Sequence, residues 1–544
     1  MNKTNILLLL ALLISTTCAQ EKLLWHNVRL DENNKLLSWE DSQSPYDAIV
    51  CKAWDAFKKI PNQPNGYKTY ITYPVFYGPK DNGKNLFEGR DWTHNPASLF
   101  GMLTDSAMLY YAYSGGEEVI PLIRDMLDHH IEFGSTDASD EWSSVPYASS
   151  DGGNIYYRGA DDSRYKQDDK FLGRGDGIGF IEPDKVGELG LAYLKFYEFT
   201  GEQKYCDAAV KCADALAKHI VKWDESHSPW PFRVDAKTGK IIKEKYTANT
   251  VGPIRLLDEL IKLKIGNTIS YRKTRNSAFE WLMIYPVNNN VWTQYFEDIY
   301  IYPDYRTNIN QYCPMETARY LLENPQYDKK WKNDCENIIK WVTAHFAIDS
   351  YTMAGLPEKG NQWGAEVLSE QINDMDKMSS HTARFASVLA LWYEKTGDKT
   401  AKERAFRSFN WATYSCDENG LVKTSIDEGT GYWFSDGYGD YMRHFMRGIA
   451  SVPEWAPSDE NHLLRSSTII RSIKYSEDTI TYKTFDAGSE ELFKLKAEPE
   501  KIYAGDKILS KDFYKLETLT TGGFTVKVRH LGQTEITISL SSNN

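Results

Sequence analysis

A helical run closing on Tyr-x-x-Ser/Thr-Gly occurs three times in this chain, as Tyr111-Ala-Tyr-Ser-Gly115, Tyr197-Glu-Phe-Thr-Gly201 and Tyr393-Glu-Lys-Thr-Gly397. Each ends an apolar run on a glycine able to take the left-handed conformation, and polar residues follow where a new helix would start. The first two copies lie roughly 90 residues apart and the third about twice that distance further on, a spacing that implies stacked helix pairs rather than unrelated domains.

Three- and four-residue apolar spacing predicts helices over 46–57, 97–113, 121–133, 185–199, 206–221, 251–263, 271–284, 315–322, 331–346, 380–395 and 401–414. A further helix is expected to open near Trp433. Beyond Pro453-Glu-Trp-Ala-Pro457 the period becomes two, with Ile480/Tyr482, Phe524/Val526/Val528 and Ile536/Ile538/Leu540 alternating with polar residues. The expected fold is therefore mainly α: an (α/α)6-type helical toroid over residues 20–460, with a small C-terminal antiparallel β-sandwich over 461–544. Short Thr-Gly turns would gather on one side of the toroid. The long connections 147–182, 222–249, 285–311, 348–377 and 419–442 would gather at the opposite mouth, where loops of such length are functional.

The first nineteen residues read as a secretory signal peptide. A short positive start precedes an apolar run from Ile6 to Ile14, and Thr17-Cys18-Ala19 resembles a cleavage site. The expectation is an exported protein, periplasmic or secreted, with lipid anchoring through Cys18 as the alternative. A net charge of −13 argues against nucleic acid as a partner, though local arginines would still admit an anionic substrate. The other six cysteines lack CxxC or zinc spacing and read as buried small hydrophobes. No HExxH or EF-hand pattern occurs, so neither a metal nor a cofactor is expected, although the acidic mouth leaves room for a loop-structuring Ca2+.

Sixteen Trp and 35 Tyr supply flat faces against which a sugar ring can stack, while acids and arginines give directional hydrogen bonds. Trp230, Trp363, Tyr432 and Trp433 stand in polar loops, where packing alone explains them least. Glu88 and Asp91 precede the Ala97 helix. Arg158, Asp176, Glu182 and Asp184 fall in a long Gly-rich stretch running into the Lys185 helix. There Asp184 reads as a helix cap, while Glu182 has no comparable structural reason. The glycine spacing around Asp176 lacks a preceding strand and a Lys-Ser/Thr, which excludes a nucleotide fingerprint. Arg233 sits among aromatics, suited to gripping a carboxylate. Glu370 and His381 flank the start of the next helix, Asp436 lies before the last, and Asp440 and His444 read equally as a surface i,i+4 pair.

The strings GRDWTHNPASLFG, VPYASSDGG, YRGA, EPDKVGELG, SHTARFASVLALWYEKTGD and WFSDGYGDYMRHF resemble those of bacterial glycosidase-like (α/α) barrels with a C-terminal β-sandwich. That group includes the exo-acting β-glucuronidases of glycoside hydrolase family 154, found in gut bacteria that digest plant arabinogalactan glycans. The resemblance implies a hydrolase releasing terminal β-linked glucuronic acid from a glycan or oligosaccharide. Such chemistry needs a protonated acid and a carboxylate base or nucleophile. Glu182 and Glu370 are the first candidates, with Asp91, Asp176 and Asp436 in reserve. Glu88, Arg158, Arg233, Trp230, Trp363, His381 and Tyr432 are expected to bind substrate. The alternatives are a uronate polysaccharide lyase using Asn249, Tyr305, His381 and Arg233, and a non-catalytic glycan-binding protein. The β-unit is expected to cover one flank of the toroid or to mediate self-association into a homo-oligomer.

Overall fold

The computed structural model describes residues 22–79, 83–161, 177–242, 245–293, 309–348, 362–371, 376–425 and 431–541. Twelve long helices dominate the described residues: α1 Pro45–Lys58, α2 Pro96–Ser114, α3 Val119–Phe133, α4 Pro183–Thr200, α5 Gln203–Lys218, α6 Val251–Leu263, α7 Thr268–Leu282, α8 Tyr312–Glu323, α9 Trp331–Phe346, α10 Ser379–Thr396, α11 Lys399–Thr413 and α12 Met442–Ser451. Proline at the first position starts α1, α2 and α4, where its missing N–H has no helical partner to lose.

The even-numbered helices form a closed ring: each packs on the next, and α12 returns to α2. The odd-numbered helices form an outer layer, each joined by a short turn to the inner helix before it, except α1, which packs on α12. Burial follows this division. Every residue from Ser379 to Leu391 in α10 and from Tyr312 to Leu322 in α8 is buried, as a helix enclosed on all sides requires. The outer α3 buries about one side, through Val119, Ile123, Met126 and Leu127.

The three repeated turns are built as their sequence requires. Gly115, Gly201 and Gly397 take φ of 73°, 76° and 78°, and each donates its N–H to the carbonyl of the tyrosine four residues earlier. Asp398 then caps α11 by accepting from Thr400 N at 2.9 Å and Ala401 N at 3.2 Å. In a fourth turn, after α6, Lys264 rather than a glycine takes the left-handed position at the helix end, with φ 59°, and Gly266 follows two positions later at φ 67°.

The C-terminal strands are β1 His462–Ser466, β2 Ile470–Tyr475, β3 Thr479–Thr484, β4 Gly488–Leu495, β5 Pro499–Ala504, β6 Lys507–Ile508, β7 Tyr514–Thr518, β8 Phe524–Leu531 and β9 Glu535–Leu540. They make two antiparallel sheets, ordered β1-β4-β8-β7 and β2-β3-β9-β5-β6. Ile480 pairs with Ile538 and Tyr482 with Ile536, and all four are buried; each such aliphatic side chain contributes about 1.5–3 kcal/mol by leaving water. Tyr482 of one sheet meets Phe493 of the other at 5.2 Å between ring centroids.

These strands lie against the turn side of the ring. His462 stacks on Tyr113 at 3.9 Å, Tyr475 donates its hydroxyl to Ala112 O at 2.6 Å, and Arg471 donates to Glu198 O at 2.7 Å. Arg465 grips Glu394 with two bonds of 2.6 and 2.8 Å. The C-terminal ends of α2, α4 and α10 thus abut the sheets, and the N-terminal ends of the inner helices face the long loops. No helix among the described residues is long and apolar enough to cross a membrane.

Candidate functional site

Short strand pairs tie the long loops to one another above the inner-helix N-termini. Val75–Phe76 pairs with Tyr432–Trp433, Thr93–His94 with Ser150–Asp151, and Phe180–Ile181 with Val234–Asp235. The last register sets Glu182 opposite Arg233, and Arg233 Nε lies 2.7 Å from Glu182 Oε1 with both side chains fully buried. Asp176 and Tyr305 lie outside the described residues.

A second cluster joins Glu370, His381 and Asp436. Glu370 is anchored at its backbone, where its carbonyl accepts from Gln311 N at the start of α8. His381, in the first turn of α10, places Nε2 3.1 Å from Glu370 Oε1. Its other nitrogen, Nδ1, lies 2.7 Å from Arg384 Nη1. Guanidinium only donates, so Nδ1 must accept. In a neutral imidazole this puts the proton on Nε2, the nitrogen that faces Glu370 Oε1. Arg384 in turn pairs with Asp440 and lies 4.5 Å from the centre of the Tyr312 ring.

Asp436 enters α12 through a π-helical stretch, Ser435–Tyr441, a geometry that recurs at functional sites because it re-aims side chains. Burial, and after it the charge of Glu370, pushes the Asp436 carboxyl up to about 7. The cluster therefore holds, near neutral pH, one carboxylate and one carboxyl that still retains a proton over much of the population.

Asp440 behaves oppositely. Burial alone would raise it, but Arg384, Arg443 and His444 outweigh that and hold it well below the usual carboxylate range. Arg443 Nε lies 2.8 Å and His444 Nε2 3.0 Å from Asp440 Oδ1. The Asp440–His444 pair is thus an enclosed brace and not the surface pair that its spacing also allowed; the inner position of α12 decides this. The capping expectation at α4 is corrected too. Glu182 occupies the cap position, and Asp184 lies inside the first turn, where it accepts from Asn249 Nδ2 at 2.8 Å. Burial pushes Asp184 up to about 6, with Lys185 opposing and Glu188 reinforcing the rise.

The remaining expected residues scatter around the mouth. Asp91 lies beside Gly152, and its neighbour Trp92 meets Trp433 edge-on at 5.8 Å. Tyr432 is buried against Phe76 at 5.2 Å. Arg158 is exposed, over the Tyr156 ring. Glu88 is an outer-surface residue paired with Lys84 at 3.0 Å. Trp230 is a core residue whose Nε1 donates to Leu216 O. Trp363 sits at the outer edge, its carbonyl accepting from Leu36 N. Cys206, Cys212, Cys313, Cys335 and Cys416 are buried and free, as expected, and Cys51 is half-buried. Among the described residues no group of three or more His, Cys, Asp and Glu side chains could hold a metal ion.

Arg384, Tyr312 and Asn249 are the connecting residues that spacing did not single out as a network. The available signal was the density of polar residues in a helix that has no exposed face: Ser380, His381, Arg384 and Ser387 must all find partners inside.

Neither a family model nor a curated protein sequence matches the chain. Solved structures do. A sugar epimerase from a ruminal bacterium is 13% identical with a TM-score of 0.50, covering 74% of this chain and 98% of its own. A D-mannose isomerase is 12% identical with a TM-score of 0.52, over 76% and 98%. Cellobiose 2-epimerase from Spirochaeta thermophila is 9% identical with a TM-score of 0.51, over 75% and 96%. At this identity the likeness concerns architecture: the chain has the (α/α)-barrel fold.

Proposed function

We propose that this chain is a carbohydrate-active enzyme, an exo-acting glycoside hydrolase that removes terminal β-linked glucuronic acid from plant-type glycans. The observation that carries the reading is the unlike pair of carboxyls, Glu370 facing a His381 N–H and Asp436 pushed up to about 7. In this reading Asp436 protonates the leaving oxygen, and Glu370 serves as nucleophile or water-activating base. Glu182 then leaves the reacting pair and becomes the residue that holds Arg233, with Arg233 and Arg158 as candidates for the uronate carboxylate. Inner-helix N-termini at the mouth add partial positive charge that favours an anionic sugar. Export from the cell, and a β-sandwich of structural duty, belong to the same reading.

A sugar epimerase or isomerase is the second reading, favoured by the His381–Glu370 contact, through which a proton can pass, on a fold shared with such enzymes. The deciding experiment incubates the protein with p-nitrophenyl β-D-glucuronide and with a glucuronic-acid-capped arabinogalactan oligosaccharide, following products by chromatography and ultraviolet absorbance. Free saturated glucuronic acid supports the hydrolase. An unsaturated product would replace it with a lyase. Silence on both substrates, with interconversion of free sugars, would replace it with an epimerase.

A further inference from the structure

Below the mouth, the ring of inner helices encloses an axial lumen of about 80 Å3. Its walls are kept back by Ser98, Gly101, Ala192 and Gly252. A Cβ on Gly252 would come within 2.7 Å of Glu188 Cγ, so the close approach of α4 and α6 requires that glycine. The lumen is lined by charge: Lys195, Arg255, Arg443 and Arg447 against Asp105, Glu188 and Glu316.

The cations are imperfectly answered. Asp105 serves three of them, with Lys195 at 2.8 Å, Arg447 Nη2 at 2.6 Å and Arg443 Nη1 at 3.7 Å. Arg255 reaches Glu323 with Nη1 at 3.0 Å, and its Nε and Nη2 have no partner. Arg447 Nη1 also lacks a hydrogen bond, standing 4.0 Å from Glu316 Oε1. Next to this group Arg319 is buried and its pKa falls to about 9, first through burial and then through Arg447. Unmet guanidinium N–H groups in a partly enclosed space carry the full desolvation cost of a donor without an acceptor. An anion bound between them removes that cost.

We propose that the axial lumen is a binding site for one small anion of halide or carboxylate size, held by Arg255 and Arg447. The lumen shares a wall with the Glu370–Asp436 cluster, through Tyr312 and Arg443, which meet Arg384 and Asp440, and Arg447 lies deeper along the axis. Arg447 follows Asp436 by eleven positions along the same inner segment, roughly 16 Å at about 1.5 Å per residue, too far for the carboxylate of a sugar whose glycosidic bond lies at Asp436.

The test uses the full-length protein crystallised with bromide as the halide, together with thermal unfolding in sodium bromide at constant ionic strength against a bulky sulfonate. The expected result is an anomalous bromide peak between Arg255 and Arg447, a saturable rise in Tm, and at least about tenfold weaker bromide binding in Arg255→Gln and Arg447→Gln, as loss of a charged hydrogen bond implies. Should those variants fail to fold, Arg447→Lys, which keeps the charge and loses the planar fork, reads the same site through its bromide affinity. Displacement of the peak by acetate would identify a carboxylate as the occupant, and persistence of bromide would identify an inorganic anion; both support the site. Water alone in the lumen at saturating bromide, or bromide affinity unchanged in the variants, overturns it.

Discussion

Replacing Asp436 with Asn tests the central electrostatic claim without presupposing a substrate. The Asp436 carboxyl rises from 3.8 to about 7 in the folded protein, through burial first and the Glu370 charge second. The folded state therefore binds this proton more tightly than the unfolded state. Stability is full at pH below the ordinary aspartate value, declines as pH rises from there to about 7, and is constant above. A rise of about 3 units at 1.36 kcal/mol each makes the cost above pH 7 roughly 4 kcal/mol. Asn has no proton to lose, so Asp436→Asn should be the more stable protein at alkaline pH by up to that amount. With about 2.1 cal/mol/K of unfolding entropy per residue over the chain, this is a Tm difference of roughly 4 °C. Calorimetry of both proteins from pH 3.5 to 9 should give curves that coincide at the acid end and diverge to a plateau above pH 7.5. Removing the Glu370 charge in both backgrounds should move the plateau to lower pH. Parallel curves, or divergence complete by pH 5, would refute a raised Asp436 and with it the acid role.

Glu370→Gln should lower release from p-nitrophenyl β-D-glucuronide by about 10²–10⁴ while leaving the melting curve cooperative, and a near wild-type rate would sink its role. Glu182→Gln removes a counter-charge from buried Arg233 and should cost about 3–5 kcal/mol in urea unfolding; a loss below about 1 kcal/mol would mean that Glu182 is not what holds Arg233 in place. Gly397→Ala places a Cβ in open space at φ 78°, so only backbone strain acts, and a loss of about 1 kcal/mol is expected. Gly115→Ala should cost more, because its Cβ would also come within 3.2 Å of Tyr475.

The hairpin turns were legible because a left-handed residue after a helix is a local requirement that a glycine advertises. The turn at Lys264 was not, since a lysine carries no such mark. Helix extents followed from periodicity to within a few residues, although in α10 every residue through Leu391 is buried and the pattern reflects density more than amphipathicity. The site was legible as a list and not as a geometry. Glu370, His381 and Asp436 were all singled out, yet nothing local indicates that residues 370 and 436 share a field. Glu182 looked free of structural duty because its partner, Arg233, lies 51 positions away and meets it only through the Ile181–Val234 register. Asp184 looked like a cap because spacing alone cannot distinguish the cap from the second residue inside the helix when both are acidic. Trp230 and Trp363 stood in polar loops, and loop polarity says little about a residue whose indole packs under the loop.

The two ends of the ring differ in what they ask of acidic side chains. At the turn end, the C-termini of α2, α4 and α10 meet strand residues such as Arg465 and Arg471, cations where helix carbonyls point outward. At the mouth, N-terminal N–H groups favour anions, so a carboxyl there should by default lose its proton easily. Asp440, one turn along from Asp436, fits that tendency, reinforced by Arg384 and Arg443. Asp436 runs against it. Its elevation to about 7 means that burial and the nearby Glu370 charge together outweigh the helix terminus, Arg384 and His381. A proton retained against that opposition depends on its neighbours, and it is the feature that separates this mouth from a merely acidic rim.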